Sequence, residues 1–362
     1  MKELLNMRDC LTSLEEAYLD LAEGNLVNRP RIDISATTDA PDHIFRWGTM
    51  EAVNARKGYH AIRLKSDIIY WSKHDSGITE EKYCIAPGTF CGLILLFSAR
   101  NGEPLAIIND GYLTHMRVGA IAALGAKYLS KEGSSTLGML GSGWMARSHS
   151  SAFACVRDLK RIKIYSPTKS HRDQAAREIE AELGIEVTPV TRPQDAVAGS
   201  DIVAACTDSI TPVLQGSWID KGAHLTCVKA KGEWSDDVFP RIDVAAGGDE
   251  PRKPIFGTPF KRGEGNFLTY AAGDPAVLQQ IPRWPEGTKE KNGGPRLVAL
   301  NAMIAGKANG RNRADEISAS GGSSGTQGLP FVTLGAKVYE LAKQRGMGKE
   351  VPTELFLQNI RD

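Results

Sequence analysis

The chain lacks the long apolar stretch that a membrane span requires. No run of about 18 consecutive apolar residues occurs, and none of its cysteines forms a CxxC pair. The opening "MKELLNMRDCLTSLEEAYLDLAEGN" sets Glu and Asp among apolar residues, which predicts an amphipathic helix rather than a signal peptide. The six cysteines (Cys10, Cys84, Cys91, Cys155, Cys206, Cys227) are scattered, several in apolar runs such as "DIVAACTD" and "HLTCVKA". That usage predicts reduced, mostly buried thiols in a cytosolic, cytoplasmic protein. The seven histidines show no HxxxH or HExxH spacing, so no metal site is read. With 44 cationic and 43 anionic residues the net charge is +1. This gives no electrostatic case for a nucleic-acid or membrane-surface partner.

What is present fits two globular domains: 362 residues, 41% apolar and 24% charged. To about residue 110 the chain reads as a helix around Leu11–Glu23 followed by strands in "YHAIRLKSDIIYWS" and "GLILLFSARNGEPLAIIND". Asn101-Gly102 between two apolar runs signals a hairpin. This part is expected to be a mainly antiparallel α+β layer. From "LTHMRVGAIAALGAKYLSK" onward, strands alternate with helices. Such alternation predicts right-handed βαβ units and a doubly wound parallel sheet of Rossmann type, an α/β fold. Residues 251–295, rich in Gly, Pro, Lys and Arg, read as an irregular surface excursion. "FVTLGAKVYELAKQRGMG" closes the pattern with an amphipathic helix stopped by glycine.

The stretch "STLGMLGSGWMARSHSSAF" is a strand, a glycine turn and a helix start. Gly141, Gly143 and Ala146 fit G-x-G-x-x-G/A, with Ser142, Trp144 and Met145 between them. The first glycine permits the tight turn, the second lets a pyrophosphate approach the backbone, and the small third residue lets helix and strand pack. The helix N-terminus then offers free N–H groups and the positive end of its dipole to an anion. Arg147 could add a charge-assisted phosphate contact. An NAD site usually carries an acid about 20 residues on, at the end of the next strand. Here "IKIYSPTKSHRDQ" has Ser166, Thr168, Lys169, Ser170 and Arg172 before the first acid, Asp173. Hydroxyls and cations suit a 2′-phosphate, so NADP(H) is expected over NAD(H), with NAD(H) still possible. Against this stands the plainer reading of Lys169 and Arg172 as solvated residues opening a helix.

Taken in order, "LTHMRVGAIAALGAKYL", "GMLGSGWMARSH", "DIVAACTDSITPVL" and "GSWIDKGAHLTCVKA" resemble the ornithine cyclodeaminase/mu-crystallin family. The resemblance implies a homodimer of two-domain subunits. A substrate-binding and dimerisation domain would span residues 1–115 with 325–362, and a dinucleotide-binding domain 116–324. It also implies that Lys65, in "AIRLKSD", is the active-site lysine. Arg31, in "NRPRID", and Arg117, in "LTHMRVGA", would hold the substrate carboxylate, with Arg29 as an alternative to Arg31. The chemistry is coherent: a guanidinium fork matches a carboxylate, and a desolvated lysine beside two arginines can exchange protons. The plain alternatives are surface charges for the arginines and, for Lys65, a solvent-facing strand side shared with Arg63 and Asp67. Thr207 and Ser209, beyond the strand "DIVAAC", are implied neighbours of the nicotinamide ribose or the cofactor backbone, and Val228 of the ring; the plain alternatives are an ordinary polar loop and a core valine.

The sequence departs from the cyclodeaminase pattern where that pattern carries Gly-Gly-Asp. It reads "HLTCVKAKGEWSDDV", with Lys229 for a glycine and Lys231 where the aspartate falls. A cation there would repel the distal ammonium of ornithine. The departure favours simple redox chemistry, or a substrate with an extra acidic group paired to Lys229 or Lys231. Alternatively both lysines point to solvent. Ser320–Ser324 could form an anion-binding concavity or a flexible loop. The expected function is an NADP(H)-dependent oxidoreductase acting on the C–N bond of an amino or imino acid. The competing readings are a cyclodeaminase that returns its dinucleotide unchanged and a non-catalytic NADPH-binding protein.

Overall fold

The computed structural model describes residues 1–29, 31–229, 232–247, 294–321 and 326–360, together with the backbone of 267–272. Lys231, most of the 251–295 stretch and residues 322–324 of the serine-rich segment lie outside the described residues.

The chain opens with α1 (Met7–Glu23), whose N-cap Asn6 accepts from the Asp9 amide and whose C-cap Gly24 is left-handed. The first sheet follows: β1 (Leu26–Asn28), β2 (Arg31–Thr37), β3 (Ile44–Asn54), β4 (Tyr59–His74), β5 (Gly77–Tyr83), β6 (Cys91–Ser98) and β7 (Pro104–Asn109). Its pairings are antiparallel, and the Asn101-Gly102 turn joins β6 to β7. One strand breaks the expected pattern. β14 (Phe267–Ala272), inside the stretch read as irregular, pairs parallel with β2 at the sheet edge. The Gly- and Pro-rich surroundings mask those six residues in the sequence.

The burial of β4 reverses the plainer sequence reading. Arg63, Lys65 and Asp67 are buried, while Ile62 and Leu64 on the other side are half-buried. The charged side is covered by the rest of the molecule, and the C-terminal helix (Leu329–Gln344) packs on β3, β4 and β6. The apolar side leaves Ile34 and Ile107 47% and 65% exposed.

The bridge to the second half is α2 (Gly111–Leu129). It is small-residued and buried nearly all round, as a helix sandwiched within a core must be. After it come β8 (Thr136–Leu140), α3 (Trp144–Val156), β9 (Arg161–Tyr165), α4 (Lys169–Leu183), β10 (Glu186–Pro189), α5 (Pro193–Val197), β11 (Ile202–Ala205), β12 (His224–Cys227) and β13 (Val244–Ala246). With β15 (Arg296–Val298) and β16 (Ser318–Gly321) they form a second sheet in the order β10-β9-β8-β11-β12-β16-β13-β15. Its pairings are parallel. The winding reverses between β8 and β11. This makes the crevice beyond their carboxyl ends the place where a doubly wound sheet receives a ligand.

Candidate active site

The buried face of the first sheet carries one end of the site. The register places Asp33, Gly48, Lys65 and Gly92 side by side across β2, β3, β4 and β6. Both glycines make room for neighbouring side chains. A Cβ on Gly48 would stand 2.6 Å from Lys65 Cε, and one on Gly92 would fall on the Asp110 carboxylate. Lys65 Nζ donates to Asp67 Oδ2 at 3.2 Å. Burial first, then the charges of Arg31 and Arg46, hold its ammonium well below the usual lysine range.

Arg31 Nε donates to Asp33 Oδ1 at 2.6 Å, and its charge acts on both Lys65 and Arg117. Arg29, the alternative from sequence, instead forks onto Glu51 with its side chain 42% exposed. Arg117 projects from α2, its guanidinium carbon 5.0 Å from the Phe331 ring centroid. It is buried, yet its Nε and Nη1 have no hydrogen-bond partner among the described residues. Burying orphan donors costs about 1–3 kcal/mol each, so this arrangement is suited to receiving an anion. Its neighbour Arg63 is already paired with Asp110 at 2.5 Å.

The other end is the glycine turn. Gly141 sits at φ 118°, where a Cβ would collide with the Cys206 carbonyl at the end of β11. Gly143 caps α3 with an extended backbone, and the space beside its Cα is open. Ala146 is fully buried. A tight turn, an open approach and a free helix N-terminus at the switch point fit a dinucleotide pyrophosphate. Trp144 is exposed, and its ring lies 6.2 Å from that of His115 on α2. The Met145 carbonyl is bonded to His149 Nδ1 at 2.7 Å. Arg147 is already engaged: it bonds Glu178 of α4 at 2.7 Å and the Ser142 carbonyl, so it braces the turn.

Beyond β9 the cations are also partly engaged. Arg172 is buried and donates to the Ser166 carbonyl at 2.9 Å. Its Nε is left without a hydrogen bond among the described residues, Asp173 being 3.8 Å away. Lys169, the first residue of α4 after the N-cap position Thr168, whose side chain makes no capping hydrogen bond, is exposed and bridges to Asp173. No carboxylate stands between Tyr165 and Lys169.

Thr207 and Val228 are drawn together by a residue that the sequence reading left outside the site. Glu233 is fully buried and accepts from the Thr207 amide and hydroxyl at 2.6 and 2.7 Å. It also accepts from the amides of Val228 and Lys229 at 2.9 and 2.8 Å. It therefore ties the ends of β11 and β12 together. Burial outweighs these donors and pushes its carboxyl up to about 7. Ser209 Oγ is bonded to the Thr211 carbonyl at 2.6 Å. The same loop meets the first sheet: Ile78 and Glu80 of β5 exchange backbone hydrogen bonds with Asp208 and Ile210. The two ends of the site are thus joined at β5 and at the His115–Trp144 contact. Ser320 lies elsewhere, its hydroxyl held by His224 at 3.0 Å.

The sequence profile of the ornithine cyclodeaminase/mu-crystallin family matches residues 1–320. The chain belongs to this family. A putative dehydrogenase of Rhizobium meliloti (strain 1021) is 30% identical over 250 residues, covering 67% of this chain and 68% of that protein. Among solved structures, the Δ1-pyrroline-2-carboxylate reductase of Thermococcus litoralis, in complex with NADH and L-proline, is 22% identical. It aligns with a TM-score of 0.74 over 97% of both chains. An archaeal alanine dehydrogenase dimer with bound NAD is 21% identical, with a TM-score of 0.69 over 97% of this chain and 96% of that one. At these identities the two structures share the family fold with this chain.

Asp33, Arg46, Arg63, Asp67 and Asp110 escaped the sequence reading as site residues. A usable signal existed: Gly48 and Gly92 interrupt otherwise regular strands, and an isolated strand glycine marks a close approach.

Proposed function

We propose that the protein is an oxidoreductase that interconverts an imino acid and the corresponding amino acid with a nicotinamide dinucleotide, NADP(H) in preference to NAD(H). The observation that carries this reading is the buried Arg117, with two guanidinium donors unpartnered among the described residues, linked to a desolvated Lys65 through Arg31, whose charge acts on both. Arg117, with Arg31 beside it, receives the α-carboxylate. The turn at Gly141–Gly143 and the α3 N-terminus take the pyrophosphate. A nicotinamide bound there supplies the hydride in the reductive direction.

The chain's own residues do the rest. Arg117 and Arg31 fix the imino carbon by its carboxylate, removing much of the orientational cost of the encounter. As the C=N π bond breaks and a new C–H bond forms, the nitrogen takes a proton from Lys65 Nζ. Its lowered basicity makes the ammonium a better acid than a solvated lysine. Asp67 holds Nζ in place and accepts no proton in the step. In the amino-acid-oxidising direction the neutral Lys65 takes that proton back.

The preference for NADP(H) is supported by the absence of a carboxylate at the end of β9 and by Arg172, whose Nε remains open beside Ser166. The half-exposed apolar side of the first sheet, with Ile34 and Ile107, supports a homodimer through that surface. The second reading, cyclodeamination, is favoured by no contact in the described site.

Mixing the protein with cyclic and acyclic imino acids and reduced cofactor tests the proposal. The expected result is one NADPH oxidised per amino acid formed, with NADPH bound more tightly than NADH. Ammonia release from ornithine without net cofactor turnover would replace it with the lyase reading.

A further inference from the structure

Each carboxylate on the buried face of the first sheet already has a cation. Asp33 has Arg31 at 2.6 Å, Asp67 has Lys65 at 3.2 Å, Glu80 has Arg46 at 3.3 Å, and Asp110 has Arg63 at 2.5 Å. Three further cations stand in the same region without a carboxylate partner among the described residues: Arg117, Lys82 and Lys229. The α-carboxylate of an imino acid accounts for Arg117. Lys82 and Lys229 remain.

These two lysines approach each other from opposite halves of the protein. Lys82 is on β5 and lies 5.6 Å from the Phe90 ring centroid. Lys229 follows β12 by two residues, and its Nζ is steadied by the Asp208 carbonyl at 2.8 Å. Asp208 is the residue whose backbone pairs with β5. Both lysines, together with Arg46, act on Glu80, and Lys229 also acts on Glu233, whose oxygens are already taken by four donors from the ends of β11 and β12. Glu80 is a single charge and is already matched by Arg46. Lys82 occupies the exposed position of β5, at the mouth of the charged cleft; desolvation, then Arg46 and Lys229, lower its pKa against the opposite pull of Asp67 and Glu80. An arriving anion would relieve that repulsion.

We propose that the substrate carries a second carboxylate, on its side chain, and that Lys82 and Lys229 receive it across the seam between the two sheets. The amino-acid product is then an α-amino dicarboxylate of the aspartate or glutamate class. This rests on the amino/imino-acid reading above and narrows it. The same pair of lysines would disfavour a substrate whose side chain ends in an ammonium, because like charges would meet in the cleft.

The test measures kcat/KM for imines formed in solution from ammonia with oxaloacetate, 2-oxoglutarate or pyruvate, with NADPH and with NADH. Calorimetric titration of aspartate, glutamate and alanine into the cofactor-loaded protein runs in parallel. The expected result is a preference of at least about tenfold for one of the dicarboxylates over the monocarboxylate, in rate and in affinity. The two dicarboxylates separate a short reach from a long one. Lys82→Met should collapse that ratio by about tenfold, and Lys82→Glu should invert it. Equal or better performance of the pyruvate imine and alanine would overturn the inference while leaving the reductase reading intact. Absence of turnover with every imine, combined with selective dicarboxylate binding lost in Lys82→Met, would overturn the reductase reading and sustain the subsite. No dicarboxylate preference in either measurement would overturn the subsite.

Discussion

In the parallel sheet, β11 and β12 bury every residue from Ile202 to Ala205 and from His224 to Cys227. In the antiparallel sheet, β4 buries Arg63, Lys65 and Asp67 and leaves Ile62 and Leu64 half-buried. The first pattern follows from helices covering both faces of a parallel sheet. The second inverts the usual hydrophobic-in alternation, and such an inversion is stable only because each buried charge meets another. The parallel sheet is therefore the scaffold that holds the glycine turn in place. The inverted face of the other sheet holds the charged residues to which the chemistry is assigned.

That contrast can be broken most severely at Lys65. Lys65→Met should lower turnover by about 10²–10⁴-fold while cofactor affinity, measured by fluorescence titration, stays the same. Unchanged turnover would remove Lys65 from the reaction. Next comes stability, measured by denaturant unfolding. Arg63→Ala strands Asp110 in a buried face and should cost about 3–5 kcal/mol. That would rival Leu137→Ala in the parallel sheet, a fully buried aliphatic, at about 2–5 kcal/mol. A value for Arg63→Ala within about 0.5 kcal/mol of zero would mean the face behaves as surface.

The smallest effect is expected at Glu233, where a buried carboxyl ties the ends of two parallel strands. Glu233→Gln should cost about 1–3 kcal/mol, because one acceptor oxygen becomes a donor facing amide N–H groups. Its folded-state pKa is raised from 4.5 to about 7. Between those values the folded protein binds the proton more tightly than the unfolded chain. Its contribution to stability is thus fully present below about 4.5 and is lost as pH rises through about 7. Glu233→Gln should remove that slope from the pH dependence of unfolding.

The second half of the chain was the more legible. Its apolar strands alternate with helices, and the glycine turn announces itself by spacing. Gly141 and Ala146 sit as the fingerprint requires. The first sheet was less so, because Arg63, Lys65 and Asp67 on alternate positions look the same whether a strand faces water or a charged cleft. Only long-range packing against α2 and the C-terminal helix decides between them. The family resemblance points to Lys65 and Arg117; it leaves Arg31 and Arg29 as alternatives, of which Arg29 pairs with Glu51 and Arg31 with Asp33 on the charged face. Glu233 was read only as a nearby acid, since its four donors come from two strand ends that the linear sequence separates. Arg147 and Lys169 look in the sequence like free phosphate contacts, because nothing there shows that Glu178 and Asp173, on α4, pair with their charges.

The central claim is that Lys65, desolvated on the inverted face, is the proton carrier. The most direct measurement is the pH dependence of kcat/KM in both directions, corrected for titration of the substrate itself. Reduction should fall, and amino-acid oxidation rise, through one shared midpoint well below the ordinary lysine value of 10.5. Stability should increase with pH over the interval between that midpoint and 10.5, since the unfolded chain there binds the extra proton. Profiles flat in both directions up to about pH 10 would contradict the assignment.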